Sequence, residues 1–194
     1  MYIHVKRIID IVMLIIFCPL WIPLMLILSL MVKLFSPGPI FFKQKRIGKD
    51  GRYFMIYKFR SMYVDAPKDT PTHMLENPDK HITPIGKFLR KTSLDELPQI
   101  FNMIKREITL VGPRPALWNQ DDLIAEREKY GVNNIPVGIT GWAQVNGRDE
   151  LPIEKKAKYD GEYARKMGFL FDIKILFLTV YCTLSRHGMK EGAN

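Results

Sequence analysis

Ile11-Val-Met-Leu-Ile-Ile-Phe-Cys-Pro19-Leu-Trp-Ile-Pro23-Leu-Met-Leu-Ile-Leu-Ser-Leu-Met-Val32 contains no charged side chain. A run of this length reaches the roughly 20 residues a helix needs to cross a bilayer. No small-x-small cleavage site follows it, which sets it apart from a cleaved signal peptide. Pro19 and Pro23 fall near its middle. Each lacks an N–H and crowds the carbonyl four residues earlier, so a bend or break is expected there. The flanks are basic on both sides, with Lys6 and Arg7 before the run and Lys33, Lys43, Lys45 and Arg46 after it. Positive charge marks the cytoplasmic side of a membrane segment. A helix that enters, bends near Pro19 and leaves on the same face satisfies both observations; a Pro-kinked spanning helix is the competing reading. Asp10 lies three residues after Arg7, a spacing that lets the two pair on one helix face at the headgroup level.

Outside this run the chain is polar and basic. Lys and Arg number 29 against 20 Asp and Glu, a formal net charge of +9 over 194 residues. That balance points to anionic partners: phosphorylated substrates, lipid headgroups or nucleic acid. The aromatic residues cluster in apolar runs rather than alternating with Lys and Arg as stacking platforms do, so nucleic acid is not expected. Cys18 and Cys182 form no disulfide framework, and the scattered histidines have no zinc-like spacing. The division expected is a membrane helix-break-helix over 1–35 and a catalytic domain over 36–194.

Ser36-Pro-Gly-Pro39 ends the apolar segment with strong breakers. Two β-prone runs, Ile40–Ile47 and Arg52–Phe59, flank a Gly-Lys-Asp-Gly turn and read as a hairpin. Residues 64–84 read as a loop or short helix. Helical patterns cover Ile85–Arg90, Leu94–Ile104, Trp118–Tyr130 and 154–167. The apolar stretch 169–184 is short for a span; it suits an interfacial helix, with a buried core helix as the alternative. The fold class is therefore mainly α with a small β-hairpin.

Arg90-Lys-Thr-Ser-Leu-Asp-Glu-Leu-Pro-Gln99 is the segment richest in chemistry. Ser93 and Glu96 have the spacing of a capping box, which by itself explains an acidic first turn. The functional reading uses the same physics: a helix N-terminus and Arg90 would keep Asp95 ionised, as a nucleophile or metal ligand must be. A carboxylate attacking phosphorus gives an acyl phosphate, and a divalent ion, Mg²⁺, would offset charge between nucleophile and diphosphate. Val111-Gly-Pro-Arg-Pro115 fixes Arg114 between two prolines, a setting suited to bidentate phosphate contact. Gly138-Ile-Thr-Gly-Trp-Ala-Gln-Val-Asn-Gly-Arg148 is a glycine-punctuated loop in which Gln144, Asn146 and backbone N–H groups suit phosphate or nucleotide oxygens.

These segments, together with Lys6-Arg7, Gln44-x-Arg46-x-Gly48 and Tyr57-Lys-Phe-Arg-Ser-Met62, closely resemble the bacterial sugar transferase family, and within it the small monotopic phosphoglycosyl transferases. The resemblance implies a re-entrant membrane helix broken at Cys18-Pro19, interfacial helices and an active site on the cytoplasmic face of the bacterial inner membrane. It implies a ping-pong reaction in which Asp95 takes a sugar phosphate from a UDP-sugar, releases UMP and passes the group to polyprenyl phosphate. Glu96 matches the second acid of the dyad, as base, orienter or metal helper. Lys58, Arg90, Arg114 and Arg148 match basic positions that hold substrate, with Gln144 beside them, and Asp95 would also ligate Mg²⁺. No extra membrane helices accompany the run, as expected for the small subclass, and a homodimer through 169–184 is compatible with it. Cys18 stands where many relatives carry Ser, and Ile47 where Pro is common. Any hexose or N-acetylhexosamine donor fits this reading. Two rivals remain: a glycosyltransferase releasing UDP, against which stands the lack of an Asp-x-Asp site, and a non-catalytic basic membrane scaffold.

Overall fold

The computed structural model describes residues 2–67, 77–147 and 151–185. The apolar run forms two helices, α1 (Tyr2–Ile16) and α2 (Cys18–Phe35), separated at Phe17. Cys18 and Pro19 open α2, where a missing N–H costs nothing because the first turn has no helical acceptor, while Pro23 is carried inside the helix. The break therefore falls just before the expected Pro19. The Trp21 indole N–H reaches back across it to the Leu14 carbonyl at 3.0 Å.

Both ends of the run are tied to one globular body. At the α1 end, Lys6 is buried and pairs with Asp172, whose carboxylate also accepts from Tyr2 and Tyr163. Asp10 accepts from the Thr109 hydroxyl and the Leu110 N–H, and Arg7 donates to the Met103 carbonyl. The Arg7–Asp10 headgroup pair expected from spacing is thus replaced by contacts into the body, where burial demands hydrogen-bonded partners for both charges. At the α2 end, Met25, Leu28 and Val32 pack against Phe59, Ile85 and Leu89. Between these anchors, Ile15, Ile16, Phe17, Leu20, Leu26 and Ile27 are exposed.

The hairpin forms as the two β-prone runs and the turn between them predict. β1 (Phe41–Ile47) pairs antiparallel with β2 (Tyr53–Phe59), and β4 (Ala116–Leu117) adds to the other edge of β1 through Arg46 and Ile47. A second, parallel pair joins β3 (Thr109–Val111) to β5 (Gly138–Thr140). Helix α3 (Pro84–Lys91) is capped by Thr83, whose hydroxyl accepts from Gly86 N–H at 3.0 Å.

The helix expected over Leu94–Ile104 is split. A 3₁₀ turn covers Leu94–Glu96, and α4 (Gln99–Ile104) follows. Pro98 has no N–H to give to the Leu94 carbonyl, which accepts from Leu97 N–H at 3.2 Å instead. The Ser93–Glu96 capping box is absent as well: Ser93 sits at φ 56° and its side chain makes no cap bond. Next come α5 (Asp121–Glu128), α6 (Trp142–Val145), α7 (Ile153–Lys166) and α8 (Phe169–Ser185). Helix α8 is buried along one side only. Asp172 and Ile175 are buried in the body, whereas Phe169, Leu170, Phe177, Val180 and Tyr181 are exposed.

Candidate active site

Four elements converge on the acidic pair. Ser93, in the left-handed region that L-residues other than Asn and Asp rarely adopt, turns the chain out of α3 and into the 3₁₀ turn bearing Asp95 and Glu96. Lys58, on β2, places its ammonium 2.7 Å from Glu96 Oε1 and 3.6 Å from Asp95 Oδ2. Arg114, between β3 and β4, donates to the same Glu96 oxygen at 3.0 Å. Arg90, on α3, donates from Nε to the Ser61 hydroxyl at 2.9 Å and adds its charge to the field at Asp95.

Asp95 is 8% exposed. Burial pushes its carboxyl up from the ordinary carboxylate value; Lys58 opposes this most, Glu96 adds to the rise, and Arg90 and Arg114 pull it down. The net direction is upward. The expected α-helix N-terminus is not there to hold the carboxyl down, although Arg90 does lower it as expected. The 3₁₀ turn offers no aligned helix dipole, and desolvation outweighs the cations.

The two glycine-bearing motifs lock together through their backbones. Gly112 N–H donates to the Thr140 carbonyl at 2.8 Å, and Gly138 N–H to the Pro113 carbonyl at 2.9 Å. A Cβ on Gly138 would lie 2.1 Å from Gly112 N, and one on Gly141 would lie 2.2 Å from Gly112 O. Only chains without side chains can approach this closely, and the contact sets the Arg114 loop beside the Gln144 helix. Gln144 Nε2 donates to the Ile139 carbonyl at 2.8 Å. Arg148, named from the sequence, lies outside the described residues.

A cavity of about 400 Å³ is lined in part by Glu96 of the acidic pair. Its lining includes Ser93, Glu96 and Gln144, Phe17, Leu20 and Trp21 of the helix break, and the apolar Met13, Leu97, Ile100 and Ile139. One cavity therefore reaches from the charged site to the break in the apolar helices.

Among the described residues no group of three or more His, Cys, Asp or Glu side chains gathers as a cation cage. Asp95 and Glu96 alone supply two adjacent hard oxygen donors. That set fits Mg²⁺, which takes one or two carboxylates and completes its octahedron with phosphate oxygens and water.

The structure thus joins Lys58, Arg90, Asp95, Glu96 and Arg114, and Gln144 lines the same cavity as Glu96. Sequence reasoning missed Ser61, although it stands inside the quoted Tyr57–Met62 motif, and Trp21, the partner of Leu14 across the break. Only the tertiary fold reveals either role.

The bacterial sugar transferase family model matches residues 1–186. The UDP-glucose:undecaprenyl-phosphate glucose-1-phosphate transferase of Escherichia coli (strain K12) is 43% identical over 183 residues, covering 91% of this chain and 39% of that protein. The UDP-N-acetylgalactosamine-undecaprenyl-phosphate N-acetylgalactosaminephosphotransferase of Aeromonas hydrophila is 37% identical over 194 residues, 97% of this chain and 46% of its own length. An uncharacterized sugar transferase of Bacillus subtilis (strain 168), EpsL, is 41% identical over 161 residues, 82% of this chain and 77% of its own. The chain spans less than half the length of the first two.

Proposed function

The chain belongs to the bacterial sugar transferase family, and on that premise we propose that it moves a sugar 1-phosphate from a UDP-sugar to polyprenyl phosphate, releasing UMP. The observation that carries this reading is the buried acidic pair under Lys58 and Arg114, opening into an apolar cavity that reaches the helix break. A diphosphate needs the cations; a polyprenyl chain needs the apolar walls. The relatives' names, with a UDP-sugar on one side and undecaprenyl phosphate on the other, agree.

In the first half-reaction the ionised Asp95 carboxylate attacks the β-phosphorus of the donor. An acyl phosphate O–P bond forms, the bond from the β-phosphorus to the bridging oxygen breaks, and UMP departs with that oxygen. In the second, a phosphate oxygen of the polyprenyl carrier attacks the same phosphorus, expels Asp95 and yields polyprenyl diphosphate sugar. Dividing the transfer this way replaces one difficult step with two easier ones. A carboxyl with a raised pKa is a stronger nucleophile once ionised, and the surrounding cations keep that form accessible. Arg114 and Lys58 hold phosphate oxygens, and Arg90 adds positive potential. Glu96, gripped by both Lys58 and Arg114, fixes where those cations point. Mg²⁺ bound through Asp95 or Glu96 and the donor's phosphates would neutralise developing charge.

The same premise carries a membrane reading. Both ends of the apolar run are fastened to one body, and the apolar surface between them is exposed. The break at Phe17–Pro19 therefore dips into the bilayer and the chain returns to the face it left, the cytoplasmic face by the basic flanks. The exposed apolar side of α8 rests at the interface. Cysteines placed before Ile8 and after Lys33 should be labelled from the same side of a vesicle; labelling from opposite sides would show a spanning helix.

The activity test is UMP release from a panel of UDP-sugars with Mg²⁺, with and without undecaprenyl phosphate, on the parent and on Asp95→Asn. A stoichiometric burst without acceptor, lost in the variant, is expected. UMP released only with acceptor would mean direct transfer, and UDP as product would mean a glycosyltransferase.

A further inference from the structure

The loop that carries Arg114 cannot hold itself in place. Pro113 and Pro115 have no N–H, so of these three residues only Arg114 has a backbone donor. Their three successive carbonyls instead accept from three separate elements. Pro113 O takes Gly138 N–H from β5 at 2.9 Å, Arg114 O takes Arg127 Nη2 from α5 at 2.9 Å, and Pro115 O takes Arg46 Nη1 from β1 at 3.0 Å. Two of the three donors are guanidinium groups, whose charge-assisted bonds are stronger than neutral ones.

Each guanidinium is braced in turn. Arg127 Nε and Nη2 donate to Asp160 Oδ2 of α7 at 2.9 and 2.7 Å. Arg46 Nε and Nη2 donate to Gln44 Oε1 at 3.1 and 2.6 Å. Arg127 is 4% exposed and Asp160 is 1% exposed. Burying such a pair costs several kcal/mol per ion before the ions attract each other, and apolar residues of similar volume often join two helices as well or better. The turn after α5 already meets α7 closely without it, since a Cβ on Gly161 would lie 2.7 Å from the Tyr130 side chain. What an apolar pair would not supply is the bond to the Arg114 carbonyl.

We propose that Arg127, braced by Asp160, and Arg46, braced by Gln44, are positioning residues that grip the Arg114 loop from outside the site and aim its guanidinium at Glu96 and the donor's phosphates. The proposal rests on the reading that Arg114 holds a donor phosphate. Neither residue touches the substrate. Arg46 belongs to a motif visible in the sequence to which no chemistry had been assigned; this gives it one.

The experiment uses the full chain with UDP-glucose and UDP-N-acetylgalactosamine as probes and reads UMP release and Tm. Arg127→Met/Asp160→Leu removes both charges together, so the fold is kept while the grip is lost. Arg46→Gln tests the second grip independently, and serves alone if the double variant does not fold. Both are made in the parent and in an Arg114→Ala background. A Tm within a few degrees of the parent is expected, with kcat lowered ~10–100-fold, the scale for misplacing a reacting group by about an ångström. In the Arg114→Ala background the same changes should alter the rate by less than about 2-fold, because no guanidinium remains to be aimed. An equal loss in both backgrounds, or none in the parent, overturns the proposal. Unchanged UMP release in Arg114→Ala itself would instead overturn the reading of Arg114 on which it rests.

Discussion

Lys58 lies nearer to Glu96, at 2.7 Å, than to Asp95, at 3.6 Å. The ammonium thus makes its hydrogen bond to Glu96 and acts on Asp95 chiefly through its field, leaving the Asp95 carboxylate free of a tight donor. Glu96 is in this view the residue that parks the cation. A lysine bonded directly to Asp95 would have to be displaced before attack.

This arrangement predicts how the rate depends on pH. In the proposed mechanism only ionised Asp95 attacks, so the acid limb of the rate profile should report its pKa, which burial places above the ordinary carboxylate value. Lys58 is the largest influence pulling that value down. Lys58→Met should therefore move the acid limb to still higher pH and lower UMP release near neutrality, on the order of 10-fold or more. Lys58→Arg should leave the limb near its parent position. A limb that does not move in Lys58→Met would show that the ammonium does not govern Asp95.

The same shift makes the nucleophile a burden on the fold. A carboxyl whose folded pKa is raised binds its proton more tightly folded than unfolded, so stability falls as pH rises from the ordinary value through the raised one. Asp95→Asn removes the buried charge and should raise Tm by a few degrees at pH 7, on the order of 1 kcal/mol, while abolishing the UMP burst. The gain should vanish in acid, where the parent is protonated too. Thermal unfolding of both proteins at pH 4 and pH 7.5 measures it, and a lower Tm for the variant at pH 7.5 would contradict the sign.

The interlocked glycines give a third expectation. Gly138→Ala would drive a Cβ to 2.1 Å from Gly112 N and 2.6 Å from the Val111 carbonyl carbon, both backbone atoms of β3 and the turn after it. Neither can yield without parting β3 from β5. The cost should be on the order of 3 kcal/mol, and the Arg114 loop should lose its place with the strand pair. Chemical denaturation of the detergent-purified variant tests this; a midpoint equal to the parent's would show that the loops can separate cheaply.

Much of this architecture was written in local pattern. The hairpin followed from two β-prone runs about an Asp-Gly turn, α7 from its helical pattern and α8 from an apolar stretch too short for a span. The acidic pair stood out because two carboxylates beside a basic stretch are chemically conspicuous. The local reading failed where one residue overrode its neighbours: Ser93-x-x-Glu96 looked like a capping box, but Pro98 withholds a donor and Ser93 turns left-handed. It was silent where partners are far apart in sequence. Ser61 and Arg90 are 29 positions apart, Asp10 and Thr109 are 99, and Arg127 and Asp160 are 33. No periodicity encodes such pairings. They exist only once the strands and helices have packed.

Trp21 offers the sharpest separation of the two half-reactions. Its indole N–H satisfies the Leu14 carbonyl across the helix break, and both residues line the cavity. Trp21→Phe keeps an aromatic ring in the cavity wall but leaves a carbonyl unpaired in apolar surroundings, a cost of about 1–3 kcal/mol. The break should loosen while Asp95, Glu96, Lys58 and Arg114 stay in place. The UMP burst without acceptor should then be unchanged, and KM for undecaprenyl phosphate should rise roughly 3–10-fold, the scale of one lost binding contact. A diminished burst with an unaltered acceptor KM would place the break on the donor side and sink the assignment of the cavity to the polyprenyl chain.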